Sequence, residues 1–138
     1  MLAWAATVAL FSTDSFSGEH TRGVLMPLLE SLFSRAPAWV PEFAHAALRK
    51  LAHVTEYAIL ALLVARALAR PARALDVVLA AALAFCAFHA ILDEWHQSFV
   101  PSRVASVADV LLDAFGAALG LALVAACAPV GRAPRAGS

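Results

Sequence analysis

Three long apolar runs decide most of what this chain can become. They extend from Leu51 to Ala65, from Ala74 to Leu92 and from Val104 to Ala128. Crossing the hydrocarbon core of a bilayer takes about 20 helical residues at a rise of about 1.5 Å each. The second and third runs meet that length unaided. The first meets it when its helix reaches back through Lys50, with Pro41 at the favoured first helical position. Pro71, Pro101 and Pro129 mark helix ends.

Composition agrees with a membrane solvent. Of 138 residues, 62% are apolar and only 14% are charged, and the mean hydropathy is +0.79. A soluble domain carries roughly 25% charged residues. Ten basic and ten acidic residues cancel, which excludes a strongly basic nucleic-acid binder. The apolar excess excludes a disordered chain, and the length excludes a two-domain enzyme of the usual kind. Cys86 and Cys127 show no CxxC or Cys/His metal spacing and read as small hydrophobes. At different membrane depths, they are not expected to pair.

A fourth apolar stretch, Met1 to Phe11, spans only about 16 Å as helix. It lacks a basic n-region and a clear cleavage site, so the preferred reading is a first membrane helix whose start lies upstream of Met1. A short tilted helix and a cleaved signal are the alternatives. Residues 12–49 open polar, and Val24 to Phe33 then places Leu25, Leu28, Leu29 and Leu32 on one side and Glu30 and Ser31 on another. That pattern predicts a short amphipathic helix at the membrane interface, with Trp39 and Phe43 as headgroup-level anchors. The expected fold is an all-α polytopic membrane bundle with three clear spans and a fourth at the N-terminus, plus this interfacial helix on the outer side. One transmembrane domain covers 1–128, with helices at about 1–11, 48–69, 74–93 and 104–127, followed by a cytoplasmic tail at 129–138.

Charge sets the expected orientation. Arg66, Arg70 and Arg73 face a single acid, Asp76, between the first two long runs, and the tail holds Arg132 and Arg135 with no acid. Short basic loops favour the cytoplasm. Residues 12–49 and the segment around 93–103 then lie outside, in a cytoplasmic-membrane protein.

With that orientation, the ionisable residues of the apolar runs gather at one depth. Lys50, His53, Glu56 and Tyr57 cover an arc of roughly 120° on the first long helix. His89, Asp93, Glu94, His96 and Gln97 end the second, Arg103 follows in the loop, and Asp109 and Asp113 begin the third. Asp109, Asp113, Gly116 and Gly120 form one stripe, whose Gly-x3-Gly half permits close helix approach. Ionisable groups in a bilayer usually face a bundle interior or a wet cavity. The sequence therefore predicts that His53, Glu56, Glu94, Gln97, Arg103 and Asp109 converge in one cavity open to the outer side. Blander readings stand beside this one. Lys50 and Arg49 snorkel, His53 packs with Glu56, His89 is an ordinary buried histidine, and Asp109 or Asp113 pairs with Arg103.

The segments RKLAHVTEYAILALL (49–63), DEWHQSFVPSR (93–103) and DVLLDAFGAALG (109–120) resemble the VanZ-like family of small bacterial membrane proteins, named for a protein associated with teicoplanin resistance. The resemblance covers about residues 10–122. Carried over, its polar signature falls on Lys50, His53, Glu56, Tyr57, Glu94, Gln97, Pro101, Arg103, Asp109, Gly116 and Gly120. Asp113 stands where the family usually has Asn, and Ser102 where Gly is frequent. The resemblance implies a four-helix protein acting near the outer leaflet or on cell-envelope precursors.

Two functional classes lead. In a membrane enzyme acting on a lipid-linked or envelope substrate, Glu56, Glu94 and Asp109 supply acid and base, and His53 relays a proton. Lys50 and Arg103 then grip an anionic headgroup, with Tyr57, Gln97 and Asp113 completing the binding surface. No nucleophile motif accompanies them. In a non-catalytic accessory protein, the same groups bind an envelope lipid, an antibiotic or a partner protein. A transporter fits less well, because no repeat and no polar path to the cytoplasmic end is visible. His53, Glu56, His89, Asp93, Glu94 and His96 include metal-type ligands but match no zinc signature, so neither metal nor cofactor is expected.

Overall fold

The computed structural model describes residues 18–99 and 106–128, with side chains from residue 22 onward. The expected helix at 1–11, the turn with Pro101, Ser102 and Arg103, and the tail at 129–138 lie outside the described residues. Four helices follow one another: α1 (Gly18–Leu32), α2 (Trp39–Leu68), α3 (Leu75–Gln97) and α4 (Val107–Cys127). The last three are long and apolar enough to cross a membrane. The fold is all-α, with α1 as the shorter helix of interfacial character.

Element boundaries differ from the sequence expectation in informative ways. α2 starts at Trp39, not near residue 48, which makes it 30 residues long. Pro41 is the third helical residue rather than the first. It is tolerated there because amide donors of the first turn have no partner within the helix. Glu42 adds a favourable carboxylate in the same turn. α3 runs on to Gln97, four residues past the expected end, because nothing before Pro101 interrupts it. α4 starts at Val107, three residues late, where the Ser106 side chain accepts the Ala108 N–H at 3.2 Å.

Packing explains the order of the helices. Val78, Ala82, Cys86 and Ala90 recur every fourth residue on α3 and are all buried. They meet Leu60, Ala61 and Val64 of α2 and Ala117 and Leu121 of α4 in one apolar core. A Cβ added at Gly116 would lie 2.9 Å from Val54 Cα, and one at Gly120 would lie 3.0 Å from Ala58 Cα. Both contacts advance by four residues in the same direction, so α2 and α4 run parallel with their backbones in touch, and α3 returns between their ends. Outward, Phe88, Ile91, Leu111, Phe115, Leu119 and Leu123 are exposed. In water such a surface would aggregate; against lipid tails it is the expected outer face. Cys86 is buried and Cys127 exposed, and both are free thiols.

Length fixes depth. At 1.5 Å per residue α3 and α4 are about 34 and 32 Å long, close to a hydrocarbon core of about 30 Å. α2, at about 45 Å, exceeds it by about 15 Å. Measured from Leu68, which a short turn joins to α3, the far boundary falls near Arg49 and Lys50, both exposed. The first turns of α2 therefore emerge, and α1 packs there. Met26 and Leu29 of α1 and Pro41 and His45 of α2 are buried, and Arg22 pairs with Glu42. Had α1 run back along α2, Arg22 would lie level with residues near Arg49. Its pairing with Glu42 instead keeps α1 beside the first turns of α2, the helix it packs against.

Candidate functional site

The polar groups of the spans occupy the half of the bundle nearest α1. Counting from the α2–α3 turn, Tyr57 lies about 16 Å up, His53, His89 and Asp113 about 21 Å, and Asp93, Glu94 and Asp109 about 27 Å. Below Tyr57 the interior is the apolar core of Leu60, Ala61, Val64, Ala82 and Cys86.

Three contacts organise the cluster. His53 Nδ1 lies 3.1 Å from Asp113 Oδ1, joining α2 to α4 one turn above the Gly116 contact. Asp113 is almost fully buried, whereas the His53 side chain keeps about a fifth of its surface, 20%, exposed. Tyr57, also fully buried, places its hydroxyl 3.2 Å from His89 Nδ1 and its ring edge-on to the imidazole. Gln97 Nε2 donates to Asp93 Oδ2 at 3.1 Å, one turn apart on α3. Glu94 accepts the Ser106 backbone N–H and so closes the start of α4. Asp109 lies in that helix's first turn, partly exposed.

The electrostatic surroundings are acidic. Glu56 is close enough to His53, Asp93 and Asp113 to interact with them, and Glu94 likewise senses Asp93, Asp109 and Asp113. Among the described residues the only base inside this ring of five carboxylates is imidazole. Lys50 points to an exposed position at the boundary and does not join the cluster. Arg103 lies outside the described residues, so its predicted grip on a headgroup and its pairing with Asp109 or Asp113 have no structural counterpart here.

Of the predicted site residues, His53, Glu56, Tyr57, Glu94, Gln97, Asp109 and Asp113 therefore share one region. His53 makes its hydrogen bond to Asp113, with Glu56 also near enough to interact with it, and His89 is an interior histidine satisfied by the Tyr57 hydroxyl. Asp93 also belongs to the cluster. Its signal in the sequence was the spacing of four along His89, Asp93 and Gln97. Two described cavities lie elsewhere. One of about 380 Å³ runs along α1 beside Arg22, Gly23, Met26, Pro27 and Glu30, and one of about 530 Å³ lies at Leu32 to Ala36.

Chemically, a histidine held through Nδ1 by a buried carboxylate presents Nε2 as proton acceptor or donor. The serines at the facing helix ends are committed to the backbone: Ser98 Oγ donates to Trp95 O at 2.6 Å, and Ser106 caps α4. Among the described residues no group of three or more His, Cys, Asp or Glu side chains is arranged to hold a metal ion.

No curated protein and no solved structure gives a match. The VanZ/LLP1 family profile matches residues 1–128 of the 138. That match spans all four helices and both halves of the His53–Asp113 contact, and the chain belongs to the VanZ/LLP1 family.

Proposed function

We propose that this multi-pass VanZ-like protein lies in the cytoplasmic membrane with the α2–α3 turn and the C-terminal tail inside. Its polar cluster, near the outer leaflet, acts on the headgroup of a lipid-linked or cell-envelope substrate. His53 exchanges a proton with the substrate through Nε2, and Asp113 holds the ring and offsets the charge it gains. Glu56 and Asp109 border the approach to it, the buried Glu94, Tyr57 and Gln97 support the wall behind, and Lys50 and Arg103 approach from the rim. The observation that carries this reading is the His53–Asp113 contact at 3.1 Å, inside spanning helices and with the histidine still partly open. A polar pair is costly to maintain in a bilayer, and such residues commonly mark functional sites.

A second reading is a non-catalytic accessory protein that binds an envelope lipid, an antibiotic or a protein. The observation favouring it is that Tyr57, Gln97 and Glu94 are each already held by a neighbour within the protein. Nanodiscs doped with a polyprenyl-diphosphate-linked sugar separate the two. On the enzymatic reading, His53→Asn abolishes conversion of the sugar lipid and leaves binding within a few-fold. On the accessory reading no conversion occurs, and His53→Asn and Glu94→Gln weaken binding by degrees. Binding and conversion that ignore both substitutions would overturn the assignment of the site.

A further inference from the structure

The opposite end of the bundle carries a feature that the polar cluster does not use. Arg66 lies in the last turn of α2, and Arg70 and Arg73 lie in the turn to α3; all three are exposed. None has an acidic partner among the described residues. Asp76, the nearest acid in sequence, turns its Oδ1 to the Val77 N–H at 2.8 Å. Arg73 is held in place, its Nη1 donating to Leu68 O at 3.0 Å and its N–H to Arg70 O at 2.9 Å. One guanidinium nitrogen is thus occupied and the rest of the fork remains available. Directly beyond it, Leu75 and Val77 present apolar side chains, 42% and 56% exposed.

This is an anionic surface's complement with a greasy border. Guanidinium groups pair with phosphate oxygens through parallel N–H donors. A free phosphate would use the arginines alone. A phospholipid would also lay a chain against the outward apolar side chains at the start of α3, Leu75 on one face or Val77 on another, and at a bilayer boundary it is the phosphate present in greatest excess. We propose that Arg66, Arg70 and Arg73 form a binding site for the headgroup of an anionic phospholipid. The site lies beyond the substrate reading above and does not depend on it. It holds the α2–α3 turn to the headgroup layer and gives the bundle a preference for anionic over zwitterionic lipid.

The test uses the full chain in nanodiscs of phosphatidylcholine with graded phosphatidylglycerol, counting lipids retained on the released protein by native mass spectrometry. A basic side chain near the surface contributes about fivefold in partition, so two arginines give a preference on the order of thirtyfold. Wild type should retain phosphatidylglycerol selectively, R66Q/R70Q should lose most of that selectivity, and millimolar glycerol phosphate should not displace the lipid. Arg73 is left intact because it also closes the end of α2. Should R66Q/R70Q fail to fold, wild type at rising salt replaces it, and the preference should fall as ionic strength rises. Equal retention of the two lipids, undiminished selectivity in R66Q/R70Q, a salt-independent preference, or displacement by glycerol phosphate would each overturn the assignment.

Discussion

Gly116 and Gly120 show how much a missing side chain can matter. Their α-carbons face the Val54 and Ala58 backbones so closely that a methyl group at either position meets main-chain atoms. Backbone cannot swing aside, so α2 and α4 must separate. Gly116→Ala or Gly120→Ala should destabilise the folded protein by about 1–3 kcal/mol, the usual range for overpacking. Gly120→Val should cost more. Thermal unfolding in detergent, compared with Ala118→Val on an exposed position, checks this; equal behaviour of the two would contradict the close crossing. This pair was legible in the sequence, because close approach has a local requirement, namely the absence of Cβ at a spacing of four. The partner of His53 was not. A single sequence exposes same-helix neighbours such as Glu56, three residues on. Asp113, sixty residues on, becomes a neighbour only when the α2–α4 crossing is known.

At the scale of elements, the start of α4 is the most instructive. Ser106 caps it through its own hydroxyl, and Glu94 from α3 accepts the Ser106 N–H. A carboxylate at a helix N-terminus also meets the positive end of the helix dipole. Glu94 therefore has a structural duty beside any chemical one. Ser106→Ala should cost about 1 kcal/mol, and Glu94→Ala a similar amount. Glu94→Gln, which keeps an acceptor oxygen, should cost less. Hydrogen exchange at the Ala108 and Asp109 amides reads these losses directly: protection should fall with either alanine and largely survive the glutamine. Unchanged protection in Glu94→Ala would dissociate α3 from the start of α4. Apolar periodicity made the three spans readable, but their ends were not. Pro41 signalled a helix start correctly in kind and two residues late in place. The far end of α3 was hidden because Asp93, Glu94 and Gln97 look like a loop to hydropathy while their backbone continues as helix.

For the whole molecule, the proposed orientation rests on the arginines near the α2–α3 turn and in the sequence after α4, since short basic segments favour the cytoplasm. Reporter fusions after Arg73 and after Arg135 should both read inside. An outward reading from either would reverse the orientation and move the polar cluster to the inner leaflet. The resemblance to the VanZ-like family was carried by three segments, and each contributes described residues to one region: His53, Glu56 and Tyr57 from the first, Asp93, Glu94 and Gln97 from the second, and Asp109 and Asp113 from the third. The pattern survives in a single sequence because each segment keeps its own spacing.

The dry core below Tyr57 has an electrical consequence. Apolar packing about 16 Å deep separates the cluster from the arginine end. With the remaining polar groups stacked towards α1, a charge reaching His53 from that side travels only about 8 Å into a core of about 30 Å. Such a charge crosses only about a quarter of the membrane voltage. At 100 mV that amounts to roughly 0.6 kcal/mol, against about 2.3 for full passage. Protonation of the cluster is therefore governed by the medium on its own side and nearly blind to the state of energisation of the membrane.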